Sequence, residues 1–183
     1  NSIEHLKEYD VVVNDLTSFD ESKQLAVKIL SSRVSNGDEL SLDFIRDKNL
    51  FGLSNTAIRI SGIEETTFRF PQELVAVDWF LFSKLLYQSK RAVFTSDAIT
   101  YYRQHQENTV GIGHVTKESL QKSLKVRENH YKHMLAISDT FQSELDFNQK
   151  MREKLNDVEE LDKILKMNGK DNLPPLWWEV IMN

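Results

Sequence analysis

Hydrophobic and polar positions change rhythm several times along the chain. Tyr9-Asp10-Val11-Val12-Val13-Asn14 sets three consecutive valines ahead of Asn14 and Asp15. That pattern predicts a short buried strand ending in a polar loop. Residues 21–34 carry a weak helical spacing, and Asn36-Gly37-Asp38 marks a turn. Residues 39–49 return to helical spacing, with Leu40, Leu42, Phe44 and Ile45 among charges. Residues 51–59 include Gly52 and Ser54 and become β-like in their second half, and Phe70-Pro71 then breaks the chain. Residues 73–89 predict a strongly apolar, largely buried helix through Leu74, Val77, Phe80, Leu81, Leu85 and Leu86. Arg91-Ala92-Val93-Phe94 and Ala98-Ile99-Thr100-Tyr101-Tyr102 predict two short strands around Ser96-Asp97.

Beyond Gly111-Ile112-Gly113 the chain becomes charged and helical. Leu120, Leu124, Tyr131, Met134 and Leu135 form one apolar stripe, and Phe147, Met151, Leu155, Val158, Leu161 and Leu165 a second. Two amphipathic helices over 116–138 and 147–166, arranged as an αα-hairpin, are the expectation. Asn168-Gly169 reads as the stop of the second. Pro174-Pro175-Leu176-Trp177-Trp178 follows as an extended aromatic tail. The elements add up to an α/β region followed by an α-helical one, with no internal repeat.

Composition narrows the function classes. Of 183 residues 40% are hydrophobic and 28% charged, the balance of a chain that buries a real core. The net charge of −5 and the interspersed Lys and Arg give no footprint for a polyanion such as nucleic acid. The absence of cysteine excludes disulfides, thiolate catalysis and Cys-ligated zinc. No apolar run approaches the roughly 20 residues that span a bilayer. The start of the chain lacks a signal-peptide pattern and an initiator Met, so a fragment of a longer protein is expected.

Three places carry candidate chemistry. Asp78 sits in an apolar helix between Val77 and Trp79. A carboxylate there must be paired, hydrogen-bonded or turned to a cleft. By pattern alone a first-turn carboxylate favoured by the helix dipole is preferred to a general base whose pKa is raised by burial. Tyr101-Tyr102-Arg103-Gln104-His105-Gln106-Glu107-Asn108 packs hydrogen-bonding groups into one strand-to-loop junction, although a lone histidine is ordinarily a surface residue. Trp177-Trp178 suits a hydrophobic latch better than a sugar-stacking platform. His130 and His133 lie one helical turn apart without an accompanying carboxylate motif. The chain has no phosphate-cradling Gly-rich loop and no nucleophile elbow.

In order along the chain these motifs resemble the second half of the catalytic domain of family 2 glycosyltransferases, particularly bacterial rhamnosyl- and galactosyltransferase-like proteins. The resemblance rests on the Gly-containing stretch 51–59, Phe70-Pro71, Asp78-Trp79, the strand 91–94 and Tyr102-Arg103-Gln104-His105-Gln106-Glu107-Asn108, with Tyr9 to Asp15 and Asp20-Glu21 ahead of them. It covers roughly residues 9–113. It implies the acceptor-side half of a GT-A, Rossmann-like domain over residues 1–114 and a helical C-terminal extension over 115–183. The motif order reverses the preference at Asp78 in favour of a base.

The resemblance further implies an inverting transfer of a hexose or deoxyhexose from a nucleotide sugar to a glycan or lipid-linked acceptor, in bacterial surface polysaccharide synthesis. Asp78 would be the catalytic base and Trp79 would wall the acceptor pocket. Arg103 and His105 would close on the donor diphosphate, with His105 able to help hold a metal, and Gly52 and Ser54 would lie near the donor sugar. The full enzyme would use Mg or Mn, work in the cytoplasm at or near the inner face of the membrane, and admit homo-oligomerisation. The family's Asp-x-Asp metal motif is absent from this chain, as is its nucleotide-binding half. Residues 1–183 alone are therefore expected to bind no metal and to be inactive. The competing expectation is a non-catalytic α/β module that binds a partner through its amphipathic C-terminal helices.

Overall fold

The three valines do build a strand, and the rest of the sheet forms on it. β1 (Val11–Phe19) is buried along nearly its whole length, with Val11, Val12 and Val13 at the core. The structure, a computed structural model, describes residues 2–19, 24–103, 115–168 and 176–179. Two units divide the chain, Asn1–Phe70 with Val77–Glu107, and Pro71–Ala76 with Asn108–Asn183. The fold is mixed α/β.

In the first unit β2 (Gln24–Ala26) and β3 (Thr56–Ile58) pair antiparallel with β1. β4 (Ala92–Arg103) pairs parallel with it, from Val11 opposite Ala92 to Phe19 opposite Arg103. The short helix α1 (Ser2–His5) precedes β1; a parallel partner needs a crossover, and the chain between β1 and β4 supplies the short helix α2 (Leu42–Ile45), then the main helix α3 (Val77–Tyr87). α3 ends at Tyr87, and Ser89, two residues on, adopts a positive φ of 61°.

Several sequence expectations are corrected. β1 does not stop at Asn14-Asp15, because both buried side chains find partners. Asn14 Nδ2 donates to Thr100 Oγ1 at 2.6 Å. Asp15 Oδ1 accepts the backbone N–H of Leu16 and of Leu30, both at 2.8 Å, and its Oδ2 accepts the Ser31 hydroxyl. Those contacts replace the helix expected over 21–34. The described part, 24–34, is a short strand followed by turns, with Lys28 at a φ of 50°. The helix expected over 39–49 shrinks to α2, capped by the Ser41 hydroxyl, because residues 37–40 hydrogen-bond to β4 instead. Gly37, at a φ of 87°, makes the expected turn. The two strands expected at 91–102 are one, with its register against β1 jumping at Ser96 to Ala98, where the sequence suggests a break.

The second unit holds α4 (Lys117–Leu135), α5 (Gln142–Lys154) and α6 (Val158–Asn168). The single helix expected at 147–166 is thus two helices. Asp157 accepts the N–H groups of Glu159 and Glu160 at 2.8 and 3.1 Å and starts α6 afresh. Val158, on the expected stripe, is 80% exposed. The core here is Leu120, Leu124, Met151, Leu155 and Ile164. Residues 73–75 strap onto α4, where Asn129 Oδ1 accepts the Val75 N–H and Nδ2 donates to the Glu73 carbonyl, both at 2.9 Å. Trp177 and Trp178 are buried edge to face, and buried Arg127 donates to the Trp178 carbonyl at 2.9 Å. No helix of the described residues is long and apolar enough to cross a membrane.

Two outcomes follow from buried polar groups. Asn55, fully buried, donates to the Asn14 carbonyl at 3.0 Å and accepts the Gly52 N–H at 2.8 Å. Asn55→Ala leaves both groups unsatisfied and should lower the unfolding free energy by about 2 kcal/mol, while exposed Ser54→Ala stays within about 0.5 kcal/mol; urea midpoints measure both. In the second unit His130 is fully buried against Tyr131 and Phe141, and burial, then Arg127 and His133, hold its pKa well below 6.5. The unfolded chain takes up a proton that the folded one refuses, so stability falls as pH drops below 6.5. Against His130→Phe, the native chain should lose about 1.4 kcal/mol per pH unit there, read from denaturation at pH 7, 6 and 5.

Candidate active site

α3 begins without a Ser, Thr, Asn or Asp immediately before it, since Ala76 has no side-chain oxygen. Asp78, in the first turn, takes over that duty. Its Oδ1 accepts the Trp79 N–H at 2.8 Å, and the partial positive charge of the helix start favours a carboxylate at this position. The helix behind it is buried on most sides through Trp79, Phe80, Leu81, Phe82, Ser83 and Leu85. Asp78 therefore lies at the point where an apolar helix meets a polar segment.

Burial raises the Asp78 pKa above its ordinary 3.8, against the opposing pull of the Trp79 amide and of Asn49. Asn49 Nδ2 donates to the same Oδ1 at 3.2 Å. The backbone N–H of Asp78 itself also favours the charged form, and among the described residues no cation pairs with the carboxylate. A carboxylate held on one oxygen, unpaired with any cation and raised in pKa is equipped to accept a proton.

The polar segment is fixed from both ends. The Trp79 indole N–H donates to the Ile45 carbonyl at 3.0 Å, and Phe51 stacks on Phe82 with centroids 4.8 Å apart. Those contacts bind 45–51 to α3. Asn55 then binds 50–55 to β1 through the Asn14 carbonyl. Gly52 lies between, and its place is steric: a Cβ there would sit 2.7 Å from Asn55 Oδ1, which holds the Gly52 N–H.

The expected site residues are distributed unevenly around this frame. Trp79, expected as a pocket wall, is 0% exposed and offers no surface for an acceptor; the core claims it, and its role is to fix α2 and the start of α3. Ser54 is exposed, with its carbonyl accepting Thr100 Oγ1 at 3.5 Å. Arg103 is exposed at the C-terminal end of β4 beside Phe19. His105 lies outside the described residues. Among the described residues no hydrogen bond or ion pair joins Asp78 to Gly52, Ser54 or Arg103. The residues that sequence reasoning missed are Asn49, Asn55 and Asn14, each an asparagine whose type is ordinary and whose burial alone makes it informative.

Among the described residues no group of three or more His, Asp or Glu side chains is arranged to hold a metal ion. With Asp-x-Asp also missing, the described residues offer no donor set that fits a divalent cation. A groove of about 820 Å³ lies elsewhere, between α4 and α5, lined by Leu124, Glu128, Asn148 and Arg152 among others, and contains none of the expected site residues. Comparison with protein-family models, with curated proteins and with solved structures gave no match to the chain.

The raised pKa has a stability consequence. The folded chain holds the Asp78 proton more tightly than the unfolded one, so keeping it ionised costs stability, and that cost disappears as pH falls toward 3.8. Asp78→Asn keeps an oxygen for both donors without the charge. It should melt at a higher temperature than the native chain at pH 7, with the gain vanishing toward pH 4, as differential scanning calorimetry across that range would record.

Proposed function

We propose that this chain is the acceptor-side part of an inverting GT-A glycosyltransferase that uses a nucleotide sugar, with Asp78 as its general base. The observation that carries the reading is the state of the Asp78 carboxyl: raised in pKa by burial, held on Oδ1 by Asn49 and the Trp79 amide, and paired with no cation among the described residues. The motif order from the Gly52 stretch through Asp78-Trp79 to Tyr102-Arg103-Gln104-His105 adds the family resemblance.

An alcohol is a poor nucleophile until its proton has a destination. In the proposed reaction the acceptor's O–H bond breaks and its proton goes to Asp78 Oδ2. The acceptor oxygen forms the new bond to the anomeric carbon from the face opposite the leaving group. The bond from that carbon to the nucleoside diphosphate breaks, and the diphosphate leaves with the electron pair. Arg103 would offset its charge with a fork of N–H donors. The nucleotide and its counter-charge belong to a half that this chain does not include, so residues 1–183 supply proton acceptance and acceptor alignment. A sugar hydroxyl on a growing glycan or a lipid-linked saccharide is the proposed acceptor, with bacterial surface polysaccharide synthesis as the setting.

The test uses the intact enzyme that contains this chain, assayed with nucleotide hexoses and deoxyhexoses. Asp78→Asn should lower transfer by about 10²–10⁴-fold, the range for loss of a general base, while nucleotide-sugar affinity stays within about twofold of the native enzyme. Transfer retained near the native rate would remove Asp78 from the base role.

A further inference from the structure

Among the described residues, Asn49 makes one side-chain hydrogen bond, and it goes to Asp78. Its Nδ2 donates to Asp78 Oδ1 at 3.2 Å, while its own Oδ1 is sealed from solvent with no partner. A buried carbonyl left without a donor costs stability. An aliphatic side chain of similar branching would avoid that cost at the same place. The segment around Asn49 does not depend on it either, since the Trp79–Ile45 hydrogen bond, the Phe51–Phe82 stack and the Asn55 bonds hold 45–55 independently. An orphaned polar group on a side chain that the local packing does not need calls for an explanation beyond folding.

We infer that Asn49 is the positioning residue of the proposed base: its amide N–H holds Asp78 Oδ1 so that Oδ2 faces the acceptor hydroxyl, and the chain tolerates an unsatisfied Asn49 carbonyl in return. The inference rests on the reading of Asp78 as general base. Asn49 acts through Asp78 and has no contact with the reacting atoms of its own.

The amide N–H also stabilises the ionised form, opposing the effect of burial. The charged groups on elements of the first unit packed against α3 are Asp43, Arg46, Asp47 and Lys48 around α2, and Glu64, Glu65 and Arg69 around the short 3₁₀ turn Glu65–Phe68. Arg46 pairs with Asp43 and Lys48 with Asp47. None of these charges shifts Asp78, whose surroundings act on it through burial and hydrogen bonds alone. Removing the Asn49 donor therefore has a single electrostatic consequence to read.

Asn49→Leu and Asn49→Ala are made in this chain, and the Asp78 side-chain carboxyl is titrated by carbon-13 NMR alongside a urea denaturation curve. The expected result is an Asp78 pKa about half to one unit above the native chain's, the size of one lost hydrogen bond, with Asn49→Leu losing no more stability than that rise in pKa costs. In the intact enzyme the acid limb of the kcat/KM profile should move up by the same amount while the KM for the nucleotide sugar is unchanged. An unmoved Asp78 pKa in both folded variants would overturn the inference, and so would an Asn49→Leu destabilised beyond what its raised Asp78 pKa accounts for, about 1.4 kcal/mol per unit, which would make Asn49 a structural residue. The titration needs no transfer activity, so these outcomes stand apart from the Asp78→Asn assay: an active Asp78→Asn enzyme defeats the base, an unmoved titration defeats Asn49.

Discussion

Every other strand of the sheet pairs with β1, and β1 carries an amide and a carboxylate into a layer that excludes water. Satisfying those two side chains dictates where the neighbouring loops must go. Asp15 gathers the turn at 29–31 with backbone and hydroxyl donors. Asn14 reaches across to Thr100 on β4, and its own carbonyl and N–H are both taken by Asn55. A buried polar group that loses its partners costs more than the bond is worth when made, so these loops are fixed by penalty as much as by attraction. The segment 49–55 has its position because β1 needs Asn55, and Asn49 meets Asp78 because 49–55 is there.

Asp78 shows how one carboxylate serves two ends. A helix N-terminus attracts negative charge, and the Trp79 amide makes use of it. Burial works in the other direction and raises the pKa. The net result is a group that remains oriented by the helix yet is readier than a surface aspartate to accept a proton. A first-turn carboxylate and a base are compatible descriptions of the same side chain, separated only by which oxygen is engaged.

Much of the framework could be read from residue patterns, and the misreadings have a common cause. The Val11 to Val13 strand, the apolar helix expected over 73–89 and found over 77–87, the Asn36-Gly37 turn and α4 follow from short-range periodicity, which a sequence displays directly. Asn14 and Asp15 looked like a loop because polarity marks loops only when water is the partner; here Thr100, Leu30 and Ser31 are. The weak helix at 21–34 gave way to those same long-range bonds. The stripe from Phe147 to Leu165 looked continuous because its spacing is, while Asp157 restarts the helix within it. At the site, Asp78 stood out as a charge in an apolar run, whereas Asn49 did not, since an asparagine after Lys48 is ordinary until its carbonyl is seen to be sealed. Trp79 illustrates the reverse case, an aromatic expected at a pocket that the core had already claimed.

The parallel pairing of β1 with β4 also sets a timetable. Val11 finds Ala92 and Phe19 finds Arg103 only after the helices between them have been made. Pairing between positions so distant in sequence is slow, because the chain must close a long loop before it gains the contacts. On a ribosome, β1 emerges before β4, with three valines and a carboxylate whose partners do not yet exist. Until β4 follows, its open edge is a template for any extended chain nearby. The strand that organises the finished sheet is thus the one most in need of shelter while the protein is being born.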